Sequence, residues 1–174
     1  EARLDRALEE INSLLAEEPD NPYFHELHGQ MLFESGHADE AIAPHRRSVE
    51  LEPTAPLLRI NLAIAMIATE DPDYLEEASQ HLRVALDIEP DNAFGWYQLS
   101  IVHERNGQTS LAQLAIAEQA FASGQRMRAN QFAARAREGL EQGTTAWFRA
   151  TEIQAVSQPT EAEMREMRRQ QRRN

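Results

Sequence analysis

Apolar and small residues recur along this chain at spacings of three and four, in blocks of about a dozen broken by Gly, Asn, Asp and Pro. That period puts them on one face of an α-helix. Across residues 22–55 they fall at Leu27, Gly29, Leu32, Ala41, Ile42, Ser48, Val49 and Leu51. The block predicts two antiparallel helices with Gly36 in the turn, where a left-handed residue ends the first helix. Gly29, Ala41 and Ser48 are the small residues that let the two helices approach. Pro44 is the exception, because it falls inside the second helix and removes a hydrogen-bond donor.

The pattern then repeats. In residues 56–92, Leu62, Ala63 and Met66 match the first helix, and Ala78, Leu82 and Ala85 match the second. Ala63 to Ala78 is 15 residues, against 12 from Gly29 to Ala41, so three extra residues are expected around Glu70, Asp71, Pro72 and Asp73. A third copy, residues 93–123, carries Trp96, Leu99, Ser100, Gly107 and Ala112 in register, and Gly124 ends its Ala-rich second helix. Further helices are expected over 125–158, one from about Met127 to Leu140 and one after Gly143 and Thr144 with Trp147 and Phe148 as apolar contacts. Residues 159–174 read as a charged helix or tail. Residues 1–20 read as the second helix of a repeat whose first helix is missing, since Ala7 stands 12 residues before Pro19, as Ala41 does before Pro53.

Three second helices close on one phrase: Glu18-Pro19-Asp20, Glu52-Pro53-Thr54 and Glu89-Pro90-Asp91. The prolines are 34 and 37 residues apart. This period, with small residues, turn glycine and terminal proline in register, resembles the tetratricopeptide repeat (TPR) over residues 1–123. The resemblance implies an all-α fold: a right-handed α-solenoid of stacked antiparallel helix hairpins, with about nine to ten helices. A narrower resemblance rests on the run Glu18 to Leu27, on Gly29-Gln30, Leu32 to Gly36 and Ala41 to Pro44, and on Phe132 to Ala136. These look like the C-terminal repeat region of bacterial BepA-type periplasmic zinc metallopeptidases. That resemblance implies a periplasmic setting and a role in outer-membrane protein quality control. In such proteins an upstream HExxH domain cuts, and the repeats bind substrate or assembly partners.

Composition narrows the picture further. The 174 residues are 41% hydrophobic with 7 Gly and 8 Pro, which suits an ordered helical protein. No run of about 18 apolar residues is present, so no transmembrane segment is expected. The absence of Cys removes disulfides and thiolate chemistry from consideration. All 17 basic residues are Arg. Residues 1–92 carry 21 Asp and Glu against 6 Arg, while residues 93–174 carry 8 Glu against 11 Arg. The acidic first half argues against nucleic acid as a partner. The chain begins at Glu1 without Met, within an expected helix, and reads as a fragment whose catalysis lies upstream.

Candidate chemistry within the chain is sparse. The nearest approach to HExxH is His25-Glu26-Leu27-His28, with histidines three apart rather than four and no third ligand nearby in sequence. His45, on the partner helix, is the candidate that would approach them. The favoured reading is structural: His28 and His45 fill inter-helix positions and His25 lines the edge. No catalytic residue, metal or cofactor is expected in this stretch.

Binding is expected instead on the first helix of each repeat, which lines the concave face of stacked hairpins. The inward positions are Tyr23, Glu26, Gln30 and Phe33 in the first repeat. The second offers Leu57, Ile60, Asn61, Ile64 and Ile67, and the third Phe94, Tyr97, Gln98, Ile101 and Glu104. Such an apolar, aromatic groove suits an extended peptide or an amphipathic helix. Expected partners are protein or peptide segments, including an upstream protease domain or envelope assembly proteins. A free-standing scaffold is the alternative. Two states of the groove stay open: empty, or partly covered by the helix of Trp147 and Phe148. With no Lys and only Asn61 suitably placed, a clamp for a C-terminal carboxylate is rejected. Arg165, Arg168, Arg169, Arg172 and Arg173 read as a solvated end helix, with an anionic partner as the second reading.

Overall fold

A computed structural model of the chain describes residues 2–158 and 160. The arginines of the tail and the whole expected helix after residue 160 lie outside the described residues. Among the described residues there are nine α-helices and no strand. They are α1 (Ala2–Glu17), α2 (Pro22–Glu34), α3 (Ala38–Leu51), α4 (Pro56–Ala68) and α5 (Leu75–Ile88). Then follow α6 (Ala93–Arg105), α7 (Thr109–Ala122), α8 (Arg126–Gly139) and α9 (Thr145–Val156). The chain forms two compact units that divide between Pro90 and Asp91.

Local chemistry sets the helix ends. Asn21 caps α2 by accepting from the Tyr23 amide at 3.1 Å, and Pro22 takes the first helical position, where no amide donor is needed. Asn92 caps α6 through the Gly95 amide and Thr144 caps α9 through the Trp147 amide. At the far end of α2, Gly36 takes φ +86°. The next amide, of His37, then reaches back to the Leu32 carbonyl at 2.9 Å, closing the last turn. The equivalent bonds close α6 (Gln108 to His103, 2.8 Å) and α7 (Gln125 to Ala120, 2.8 Å).

The extra residues of the second repeat form a short 3₁₀ turn, Pro72–Tyr74, whose cap is Asp71 accepting from the Asp73 amide. Two residues beyond the end of α4, Glu70 takes φ +62°, the one non-glycine residue among those described with positive φ. Helix α3 runs through Pro44 without ending.

In the first unit α1 packs on α2, α2 on α3, α3 on α4 and α4 on α5. Flanked by α3 and α5, α4 buries Leu58, Ile60, Leu62, Ala63, Ala65, Met66 and Ile67. Each fully buried Leu, Ile or Met is worth about 2–3 kcal/mol of apolar transfer, which makes α4 the centre of this core. Gly29, Ala41 and Ser48 are buried between α2 and α3, where small residues were expected. Arg46 of α3 adds a two-pronged bond to Glu77 of α5 at 3.1 Å.

The second unit joins α6 to α7, α7 to α8, and α9 to both α8 and α7. Its core is lined with small side chains: Ala117, Ala120, Ala129, Ala133, Ala136 and Ala150, with Leu114 and Ile153. Side chains this short let three helices approach closely. The buried carboxylate of Glu118 on α7 meets Arg149 of α9.

Candidate functional site

The first helices α2 and α4 each carry a stripe of exposed and half-buried side chains. On α2 the stripe is Tyr23, Glu26, Gln30 and Phe33, with Tyr23 62% exposed and the others half-buried. On α4 it is Leu57, Asn61, Ile64 and Ala68, with Leu57 60% exposed. These positions recur every three or four residues, as one face of a helix requires.

Two expected groove residues of α4 are not on that stripe. Ile60 is 1% exposed and Ile67 6%. They stand seven residues apart, on one side of α4, and both belong to the buried core.

In the second unit, Phe94 and Tyr97 of α6 are each about half exposed and Ile101 is half-buried. Gln98 departs from the expected exposure, being only 8% exposed. A shallow cavity of about 280 Å³ opens between α6 and α7, lined by Ser100, Ile101, Glu104, Arg105, Ala112 and Ile116. Trp147 and Phe148 sit edge to face on α9, which packs on α7 and α8, while Phe94 and Tyr97 stay exposed.

Polar groups order the face of the first unit. Asn61 Nδ2 of α4 donates to Glu26 Oε1 of α2 at 3.0 Å, tying the two first helices together. Gln30 donates to Glu34 Oε1 at 2.6 Å. The Glu26–Asn61 link was not anticipated from sequence. The two residues stand 35 apart, one more than the 34 residues that separate the starts of the two repeats.

The histidines take structural roles. His25 Nε2 donates to the Pro19 carbonyl at 2.8 Å. Burial, and secondarily the neighbouring His25, holds the His28 pKa below its ordinary value. His45 is 1% exposed, and burial pushes its pKa down to about 4, so the ring is neutral at pH 7. Among the described residues no group of three or more His, Cys, Asp or Glu is placed to hold a metal ion. Nor is any described helix long and apolar enough to cross a membrane.

No protein-family model matches the chain, and no curated protein matches it. Solved structures do. The crystal structure of MamA superimposes with TM-score 0.67 at 21% identity, covering 88% of this chain and 86% of that one. MamA 41-end from Desulfovibrio magneticus RS-1 gives TM-score 0.65 at 15% identity, covering 90% and 88%. TTC0263, a thermophilic TPR protein in Thermus thermophilus, gives 0.52 at 21% identity, covering 87% and 91%. Likeness at this identity speaks for the fold, and with the repeat register above it makes this chain a TPR-like α-solenoid of helical hairpins.

Proposed function

We propose that this chain is a protein-interaction module that holds peptide or helix segments of a partner on the stripes of its first helices. The observation that carries the reading is the exposure of Tyr23 and Leu57 in the first unit and of Phe94 and Tyr97 in the second. Tyr23, Leu57 and Phe94 are repeat-equivalent, and large side chains left half or more in water at such positions mark a recognition surface. TPR folds present such faces, and the all-helical architecture offers binding area rather than an enclosed reaction site.

The finer assignment follows the sequence resemblance. In it the chain is the non-catalytic C-terminal repeat region of a bacterial envelope zinc metallopeptidase, working in the periplasm on outer-membrane protein quality control. Its partners are then the upstream protease domain or envelope assembly proteins. The 20 Asp and Glu against 6 Arg in residues 1–90 disfavour nucleic acid. A free-standing scaffold is the second reading. The coding frame upstream of Glu1 separates the two: an HExxH-bearing domain supports the peptidase, whereas further repeats alone support the scaffold.

Binding itself is tested by a photo-crosslinking amino acid placed at Tyr23, Leu57, Phe94 or Tyr97, with exposed Gln80 and Arg83 of α5 as controls. Partner adducts are expected from the first four positions only. Equal labelling at Gln80 and Arg83 refutes the assignment of the face.

A further inference from the structure

Between α2 and α4, the face of the first unit presents acceptors without a donor. The bond from Asn61 Nδ2 to Glu26 Oε1 uses the amide nitrogen and one carboxylate oxygen. Asn61 Oδ1 and Glu26 Oε2 are left without a hydrogen-bond donor among the described residues, and Glu26 has no cationic partner there. The nearby arginines are engaged elsewhere. Arg46 holds Glu77, Arg47 bridges Asp20 and Glu50, and Arg59 donates to the Pro53 carbonyl and contacts His81.

Apolar surface brackets this pair. Tyr23 stands one turn before Glu26, and Leu57 one turn before Asn61, both about 60% exposed. Half-buried Ile64 follows Asn61 by a turn. The unit as a whole is acidic, since residues 1–90 carry 20 Asp and Glu and 6 Arg, a net of −14.

We propose that Glu26 and Asn61 seat a cationic side chain, so that the first unit takes a peptide segment in which one Arg or Lys lies between apolar residues. The proposal rests on the groove reading above and adds the chemical class of the ligand. A carboxylate oxygen and an amide oxygen together accept from a guanidinium or an ammonium. Tyr23 and Leu57 take the neighbouring apolar side chains. The field of the acidic unit draws positive segments in and repels acidic ones.

The test is a random 12-residue phage-displayed peptide library panned on the full chain and on the variants E26K, E26Q and Y23D/L57D, each checked for an unchanged thermal melt. The wild-type chain is expected to enrich Lys or Arg flanked by apolar residues at least tenfold over the unselected library. E26Q loses that charge preference, E26K turns it toward Asp and Glu, and Y23D/L57D binds none of the selected peptides. Apolar peptides that bind without charge preference, yet are lost in Y23D/L57D, overturn the cation seat and leave the groove reading standing. Failure to enrich any peptide, or enrichment that no variant alters, overturns both. A second copy of the chain on this face would appear in light scattering as a dimer broken by E26K, with no charge preference in the library, and that too overturns the proposal.

Discussion

The ring of His45 on α3 occupies the space that a side chain at Gly29 on α2 would need. A Cβ built at Gly29 would lie 2.7 Å from ring carbons Cγ and Cδ2 of His45. Gly29→Ala therefore forces either the imidazole or the helix axis to move, at a cost of about 1–3 kcal/mol. Urea unfolding should show a lower midpoint with an unchanged slope. Adding His45→Ala should recover part of the loss, because both changes act on the same space.

The same buried ring makes stability depend on pH. The His45 pKa is about 4 in the folded chain against an ordinary 6.5, with burial as the cause. Between those values the unfolded chain binds a proton that the folded chain does not, so stability falls as pH falls from 6.5 and levels off below 4. The full loss is on the order of 3 kcal/mol. His28 and His81 are shifted in the same direction, chiefly by burial. His45→Met should therefore reduce the slope between pH 6.5 and 4 without abolishing it. Unfolding free energies measured across that range check this, and an unchanged slope refutes it.

In the second unit, Arg149 Nε and Nη2 donate to the two carboxylate oxygens of Glu118 at 2.6 and 2.8 Å. Glu118 is 4% exposed, whereas Arg149 also reaches the surface carboxylate of Glu152. Removing the guanidinium alone leaves a carboxylate without its partner in the seam between α7 and α9. Arg149→Met should cost about 2–4 kcal/mol, and Glu118→Gln with Arg149→Met should cost clearly less. A double-mutant cycle read by urea unfolding gives the coupling.

Glu70 occupies a left-handed position just beyond the end of α4, as Gly36 does after α2 and Gly107 after α6. A residue with a Cβ pays about 1 kcal/mol or more there, and glycine does not. Glu70→Gly is expected to raise stability by about 1 kcal/mol, seen as a higher melting temperature. Gly36→Ala should lower it by a similar amount.

Much of the fold was legible before any coordinates. The helix pairs, the turn at Gly36, the added turn near Pro72 and the helix after Thr144 depend on local chemistry: apolar period, caps and left-handed residues. The likeness to MamA and to the TPR protein TTC0263 agrees with the repeat register. Exposure along the first helices was legible only in outline. Tyr23, Leu57, Phe94 and Tyr97 stand in water, but Ile60, Ile67 and Gln98 are buried. Counting from the start of each repeat locates the side of a helix to within a residue or so, and a step of one residue turns a helix by about 100°. That step moves an isoleucine from groove wall to core.

Periodicity and turn chemistry alone thus determined the succession of helical hairpins, because each signal acts within a few residues or repeats at a constant interval. Only the tertiary structure decided which side chains of that succession meet water. It also decided which polar groups meet across helices, as Glu26 does with Asn61 and Glu118 with Arg149. Exposure and pairing are set by neighbouring helices, whose separation and rotation no single segment of the chain encodes.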